Sequence, residues 1–214
     1  MKLYGYFRSS ASYRVRIALN FKGLAFEPVL VDLRAPASAQ HTPQFRALNP
    51  SGLIPVLIDG EQVIGQSLAI IEYLEETHPE PALLPRAPQQ RARVRALALA
   101  IACDIHPLNN LRVLNYLRDP LGHDDATVNA WYAHWIAQGL RALESEAQRS
   151  SGDGRHLCGS AVTLADVCLV PQMANAHRFN CDVAPYPTLR AICAHLETLP
   201  AFARAAPGAQ PDAP

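Results

Sequence analysis

Residues 8–19 read R-S-S-A-S-Y-R-V-R-I-A-L, a stretch that joins a predicted strand to a predicted helix. Residues 2–7, just before it, predict a short strand rich in aromatic side chains. The serines that follow Arg8 are typical of a turn that caps a helix. The apolar spacing beyond them predicts a helix from Tyr13 to Phe21, and Gly23 is well placed to end it.

The segments after this helix predict a small sheet and a second helix. Residues 26–33 and 54–58 predict two further strands. Asp59-Gly60 is a strong hairpin signal that leads into a fourth short strand, after which Ser67 opens a helix. This order of elements predicts an α/β domain over residues 1–80.

The residue composition and the hydrophobic pattern of the chain change after this domain. Prolines crowd the next segment, at Pro79, Pro81, Pro85 and Pro88. Proline this dense breaks helices and indicates a linker. Residues 89–118 and 125–149 then predict long helices, and no further strand pattern follows. The second domain, residues 88–214, is therefore predicted to be all-α.

Two signals in the second half concern folding rather than chemistry. Thr163 and Asp166 have the spacing of a capping box, and Val162 and Val167 occupy the flanking staple positions. The Ala/Pro-rich tail after Arg204 is expected to fray.

The charge balance excludes several classes of partner. Among 214 residues, 19 Lys+Arg face 19 Asp+Glu, so no basic excess is available for nucleic acid or for a polybasic membrane patch. Of the 19 basic residues, 17 are Arg and only Lys2 and Lys22 are Lys. We interpret most of this bias as the codon usage of a GC-rich genome. Individual arginines can still serve as planar forks for carboxylates.

The cysteines and the hydropathy pattern favour a reduced cytoplasmic protein. No stretch approaches the roughly 20 apolar residues of a membrane-spanning helix, and the amino terminus is too short and polar for a signal peptide. The five cysteines are odd in number and include no C-x-x-C pair. We therefore expect neither a disulfide framework nor a metal site.

The turn around Ser9, Ser10 and Ser12 is the first candidate for chemistry. A helix amino terminus favours an anion and lowers the pKa of a thiol held there. No cysteine lies in this turn, so a thiolate would come from a ligand. The alternative is that these serines only cap the helix.

Two further elements of the same domain favour a ligand. Ile54-Pro55 opens a strand where proline removes a ladder bond, and a cis peptide there would leave the Ile54 backbone open to an extended peptide. Gln66-Ser67 precedes a second helix amino terminus, which can hold a carboxylate. Together the three elements suit a short acidic thiol peptide.

The chain resembles the zeta-class glutathione transferases, the group that includes maleylacetoacetate isomerase and the bacterial glutathione-dependent maleylpyruvate isomerases. The matching stretches are the one from Arg8 quoted above, A-L-N-P from Ala47, Q-S-L-A-I-I-E-Y-L-E-E from Gln66, I-H-P-L-N-N-L from Ile105, T-L-A-D-V-C-L-V-P-Q from Thr163 and P-Y-P from Pro185. The resemblance covers nearly the whole chain. It implies a thioredoxin-like α/β domain that binds glutathione, an all-α substrate-binding domain, and a homodimer.

The resemblance also implies roles for individual residues. Ser9 would be the catalytic serine that donates a hydrogen bond to the glutathione sulfur, with Arg8 beside it. The residues that would bind glutathione are Ser9, Ser10, Arg14, Gln40, Ile54, Gln66, Ser67, His106 and Asn110. The residues that would bind a dicarboxylate substrate are Arg8, His106, Arg112 and Arg178.

The sequence departs from the zeta pattern at three positions. Ala11 stands where a cysteine is common, but glutathione supplies the reacting sulfur, so isomerisation remains compatible with the change. His106 and Arg112 resemble the maleylpyruvate isomerases more than the animal enzymes. The expected activity is the conversion of maleylacetoacetate or maleylpyruvate to its fumaryl isomer.

Two other functions stay open at the level of sequence. The same activated sulfur could conjugate or dehalogenate small electrophiles such as α-halo acids. The fold could also serve as a non-catalytic interaction module, although the intact Ser9, Ile54-Pro55 and Gln66-Ser67 set argues against that.

Overall fold

A four-stranded mixed sheet forms the centre of the amino-terminal region. The computed structural model describes residues 1–34 and 38–213. The strands are β1 (Lys2–Gly5), β2 (Glu27–Leu30), β3 (Val56–Asp59) and β4 (Gln62–Gly65), in the order β2-β1-β3-β4. Strand β1 pairs parallel with β2 and antiparallel with β3, and β3 pairs antiparallel with β4. The hairpin predicted at Asp59-Gly60 is confirmed, with Gly60 at φ +56°.

The α-helices are α1 (Ser10–Phe21), α2 (Pro43–Leu48), α3 (Ser67–Thr77), α4 (Pro88–Leu99), α5 (Leu111–Arg118), α6 (Asp125–Ser150), α7 (Leu164–Arg178), α8 (Pro187–Leu196) and α9 (Pro200–Ala205). Helix α1 begins three residues before the predicted start because Ser9 caps it. Helix α1 is buried on all sides, since every residue from Ser12 to Leu19 is buried. This burial fixes the position of the loop that precedes the helix.

The described residues group into two compact units. One contains Met1–Leu83 together with the segment from Thr198 onward, and the other contains Leu84–Glu197. Helix α9 packs along α1, where Arg16 Nε donates to the Ala205 carbonyl at 2.9 Å. The backbone N–H of Phe7 donates to the Asp212 carboxylate at 2.9 Å. The expectation of a frayed tail is therefore wrong for the described residues after Arg204, which fold back onto the first unit.

The second unit contains helices α4 to α8, but the helix predicted over residues 89–118 is interrupted. Helix α4 passes into a π-helical turn at Ala100–Ile105 and then a 3₁₀ turn at His106–Asn109. π-Helical turns within α-helices are frequent at functional sites. The side chain of Ile105 fills the space beside Gly139 of α6, where any Cβ would overlap it.

The capping box predicted at the start of α7 is confirmed. The Asp166 carboxylate accepts the Thr163 backbone N–H at 2.8 Å and the Leu157 N–H at 2.7 Å. Burial raises the pKa of Asp166, against the effect of these hydrogen bonds. The helix that it starts is buried along most of its length.

Residues 1–34 and 38–213 contain neither a membrane span nor a metal cluster. None of the helices there has both the length and the apolarity to cross a bilayer. In the same residues, no group of three or more His, Cys, Asp or Glu side chains could hold a metal ion.

Candidate active site

Ser9 lies at the amino terminus of α1 in the geometry that a helix cap requires. Its Oγ accepts the backbone N–H of Ser12 at 3.2 Å, and its own backbone is extended. The Ser9 hydroxyl donates to no residue in the described part of the chain. Capping uses Ser9 as an acceptor and sulfur activation would use it as a donor, so one side chain can do both.

The sulfur that Ser9 would activate is not on this chain. The cysteines are free, and none lies in the loop before α1. Burial raises the pKa of the Cys158, Cys181 and Cys193 thiols, which makes each a weaker nucleophile at neutral pH. A thiol ligand remains the source of a reactive sulfur at this turn.

Helix α3 begins at the second predicted contact segment, Gln66-Ser67. Gln66 has φ +65° and ψ 117°, in the region that side chains with a Cβ rarely adopt. Strained backbone of this kind costs about 1–3 kcal/mol and clusters at ligand clamps. The first unit therefore holds Gln66 in a backbone conformation that is unfavourable for a residue with a Cβ.

Arg14 lies behind Ser67. Its Nη1 donates to the Ser67 Oγ at 3.3 Å, and the whole Arg14 residue is only 1% exposed. The hydrogen bond links helix α1 to the start of α3. The predicted glutathione contact Arg14 is thus a buried side chain that contacts the predicted contact Ser67.

The segment before β3 offers free backbone groups to a ligand. The Ile54–Pro55 peptide bond is cis, and the ladder begins only at Val56. Within the described residues, Ile54 forms no backbone hydrogen bond. Gln40 is buried, and its Oε1 has no partner in the part of the chain that the structure describes.

The segments that carry Gln40 and Ile54 are close to one another. Gly52 has φ +64°, and a Cβ there would lie 3.1 Å from the Gln40 carbonyl oxygen. An orphaned acceptor, free backbone groups and two helix amino termini therefore belong to one unit. These groups fit a short peptide that carries N–H donors and carboxylates.

The predicted contacts of the second unit lie around the interruption after α4. His106 opens the 3₁₀ turn, directly after the π-helical turn. Asn110 caps α5, where its Oδ1 accepts the Arg112 backbone N–H at 3.1 Å. The Arg112 side chain is exposed.

Arg8, Arg112 and Arg178 form no ion pair with any acidic side chain of residues 1–34 and 38–213. The Cζ atom of Arg8 lies 5.0 Å from the Phe7 ring centroid. Arg178 Nη2 donates to Asn175 Oδ1 at 3.2 Å, and its Cζ lies 4.8 Å from the Phe179 ring centroid. All three side chains are exposed, so each can meet an anion from solvent.

The chain is similar to known proteins over nearly its whole length. A family model described as the glutathione S-transferase N-terminal domain matches residues 3–82. A probable maleylacetoacetate isomerase of Vibrio cholerae is 56% identical over 211 residues, which cover 99% of this chain and 97% of that protein. A solved holo structure of maleyl pyruvate isomerase, described as a bacterial zeta-class transferase, is 50% identical with a TM-score of 0.97, and each chain is fully covered. The chain belongs to the zeta-class glutathione transferases.

A further zeta-class relative was solved with ligands bound. The maleylacetoacetate isomerase of Methylobacterium extorquens AM1, with bound malonate and glutathione, is 44% identical with a TM-score of 0.95 over the full length of both chains. The comparisons confirm the thioredoxin-like domain and the helical region expected for a zeta-class transferase.

The sequence of this zeta-class chain did not predict three neighbours of Arg178, namely Asn175, Phe179 and Tyr132. Asn175 precedes Arg178 by three residues on one helix, a spacing that could have indicated the contact. Phe179 follows Arg178 directly. Tyr132 is 46 positions away along the chain, and no local pattern points to it.

Replacing Gln66 by Gly tests whether its strained backbone serves ligand binding. Glycine relieves strain of about 1–3 kcal/mol but costs about 0.5–1 kcal/mol in conformational entropy, so we expect the free energy of unfolding to be unchanged or to rise by up to about 2 kcal/mol. The lost side chain should raise the KM for glutathione about tenfold, since hydrogen bonds to charged groups contribute about 1.5–3 kcal/mol. Asn180→Gly is the matched control, because Asn180 has φ +52° and no predicted ligand contact. A KM for glutathione that is unchanged in Gln66→Gly would exclude the contact.

Proposed function

We propose that this zeta-class transferase is a glutathione-dependent cis–trans isomerase of a maleyl keto acid, either maleylacetoacetate or maleylpyruvate. The observation that carries the proposal is the hydrogen bonding of Ser9. Its Oγ caps α1 as an acceptor, and its hydroxyl hydrogen has no acceptor in the described residues, so it can donate to a ligand. The relatives named as isomerases of these two acids support the choice of reaction. Glutathione, when bound, supplies the thiolate that adds to the cis double bond and leaves after rotation about the resulting single bond.

The first task of the chain is to keep a thiol ionised beside α1. The Ser9 hydroxyl would donate to the sulfur, and the positive end of the α1 dipole would favour its negative charge. Ser10 is buried next to Ser9 and completes the turn. Arg8 adds a positive charge to the same loop without an acidic partner in the described residues.

The second task is to hold the peptide that carries the thiol. We assign the free Ile54 backbone to its main chain, and Gln66 and Ser67 to its terminal carboxylate. Gln40 would accept an N–H through its unpaired Oε1. His106 and Asn110 are proposed as further contacts from the helical region.

The third task is to bind the carboxylates of the substrate and the negative charge that develops on its keto group. Arginine suits both, because its planar fork binds carboxylates in a bidentate manner. We assign this role to Arg8, Arg112 and Arg178, and we assign His106 as a donor to the substrate. The malonate bound to the Methylobacterium extorquens isomerase supports a site for dicarboxylates.

The reaction is tested by following glutathione-dependent loss of both maleyl acids. We expect at least one of them to be isomerised, and the ratio of the two kcat/KM values identifies the preferred substrate. An α-halo acid serves as the competing substrate. If neither maleyl acid reacts while the halo acid consumes glutathione, the protein is a conjugating or dehalogenating transferase and the isomerase proposal is wrong.

We further propose that the protein is a cytoplasmic homodimer. The dimer is supported by membership of the zeta class, and the location by five cysteines that are all free. Light scattering after size-exclusion chromatography measures the dimer directly. A mass near 23.4 kDa across the micromolar range would contradict it.

A further inference from the structure

Arg178 ends helix α7, and neutral groups hold its guanidinium in place. One turn back along the helix, the buried Asn175 accepts from Nη2 at 3.2 Å. The next residue, Phe179, places its ring centroid 4.8 Å from Cζ. The amide and the ring restrict the orientation of an exposed cation without neutralising its charge.

Tyr132 of α6 extends this support into the core. The residue is 2% exposed, and its ring stacks on Phe179 with 3.8 Å between centroids and 17° between planes. Burial raises the pKa of Tyr132 to about 12, and the adjacent Arg178 acts in the opposite direction. The Tyr132 carbonyl accepts from Asn109 Nδ2 at 3.2 Å, which ties this support to the turn that begins at His106.

The groups that hold Arg178 in place carry no charge. Elsewhere in the same unit, Arg118 pairs with Asp125 at 2.8 Å, and Arg93 pairs with Glu146 at 3.5 Å. Over the described ranges, no carboxylate pairs with Arg178. An aspartate has nearly the shape of asparagine, so position 175 could carry a charge without any change of geometry. The amide thus leaves the guanidinium oriented and its charge free.

We propose that Asn175, Phe179 and Tyr132 are positioning residues that hold Arg178 as a receptor for one carboxylate of the substrate, with Asn175 keeping its charge unneutralised. The inference rests on the proposed function, since it specifies the part of the helical region that binds the acid. The alternative is that Arg178 only stabilises the carboxyl end of α7 through the helix dipole. That alternative predicts no effect of Asn175 on ligand binding.

The decisive variant is Asn175→Asp, which keeps the shape and adds a carboxylate beside the guanidinium. We expect the Kd for malonate, measured by calorimetry with glutathione present, to rise about tenfold because an ion pair replaces the neutral contact. The KM for the maleyl substrate should rise in parallel. The KM for glutathione should not change, and kcat should change less than the substrate KM. Asn180→Asp is the matched control, because it adds the same charge two residues after Arg178 on an exposed side chain and should leave the malonate Kd unchanged.

Two more variants complete the test. Phe179→Leu keeps an apolar side chain but removes the ring, so it should also weaken malonate binding, and it replaces Asn175→Asp if that protein does not fold. Equal malonate affinity in wild type and in the folded position-175 variant, or in Phe179→Leu when it replaces that variant, would overturn the positioning role. Equal affinity in Arg178→Ala would overturn the receptor itself.

Malonate binding does not depend on turnover, so the receptor and the reaction can fail separately. A wild-type protein that binds malonate through Arg178 but isomerises neither maleyl acid would support the receptor and reject the proposed reaction. A protein that isomerises a maleyl acid with the same KM in wild type and Arg178→Ala would reject the receptor and leave the reaction standing.

Discussion

Ser9→Ala should raise the pKa of the bound glutathione thiol by about one to two units. The reason is the loss of a hydrogen bond to a charged sulfur, which contributes about 1.5–3 kcal/mol, where one pKa unit corresponds to about 1.4 kcal/mol. Because a raised thiol pKa reduces the thiolate present at neutral pH, kcat/KM for isomerisation should fall about 10- to 100-fold. The ultraviolet absorbance of the thiolate, titrated against pH in the complex, measures the shift.

Ser9→Gly separates sulfur activation from helix capping. Glycine caps a helix almost as well as serine, whereas alanine costs about 1 kcal/mol of stability at this position. Both variants lack the hydroxyl, so both should lose the thiolate, while only Ser9→Ala should lose appreciable stability. If Ser9→Gly titrates as the wild type does, Ser9 is a cap and nothing more.

The second large effect is expected from Gly139→Ala. A Cβ at position 139 would overlap Cδ1 and Cγ1 of Ile105, whose side chain is 2% exposed and has little room to move. Overpacking of this kind costs about 1–3 kcal/mol, which exceeds the gain of up to about 1 kcal/mol from placing alanine in a helix. Chemical denaturation should therefore show a lower free energy of unfolding. The KM for glutathione should also rise, because Ile105 directly precedes His106, which we propose as a contact of glutathione.

Gly208→Ala provides the control for Gly139→Ala. A Cβ at position 208 meets no atom within 4 Å, so this variant should be close to wild type in stability. Combining Gly139→Ala with Ile105→Ala removes the overlapping atoms, and the double variant should be more stable than the sum of the two single effects implies. Strict additivity would show that the contact between α6 and the π-helical turn is not the cause.

Short sequence patterns predict the helix caps and the hairpin turn, because these features depend on contacts between residues close together in the chain. Ser9 caps α1 through a backbone group three residues away, and Asp166 caps α7 within the same short range. The hairpin at Asp59-Gly60 likewise depends on adjacent residues. Such features are visible in a single stretch of chain because the interacting groups lie within one turn.

The features that sequence analysis missed depend on distant residues. The break after α4 lies where Ile105 meets Gly139, and helical periodicity alone continues through it. The carboxyl-terminal tail is ordered by a hydrogen bond between Phe7 and Asp212, 205 positions apart.

The same distinction applies to the candidate site. Ser9, Gln66 and Ser67 are helix starts that a pattern indicates, and the resemblance to the zeta class supplied Gln40, His106 and Arg178. The support of Arg178 by Tyr132 comes from packing between α6 and the end of α7. No periodicity in the sequence carries that information.

The stoichiometry of glutathione during turnover tests the central proposal most directly. With glutathione at about one hundredth of the concentration of the maleyl acid, we expect complete conversion to the fumaryl isomer with the free thiol concentration unchanged at the end. Isomerisation regenerates the thiol in every cycle, whereas conjugation consumes it. Conversion that stops after one equivalent of glutathione, with loss of free thiol, would contradict the isomerase account.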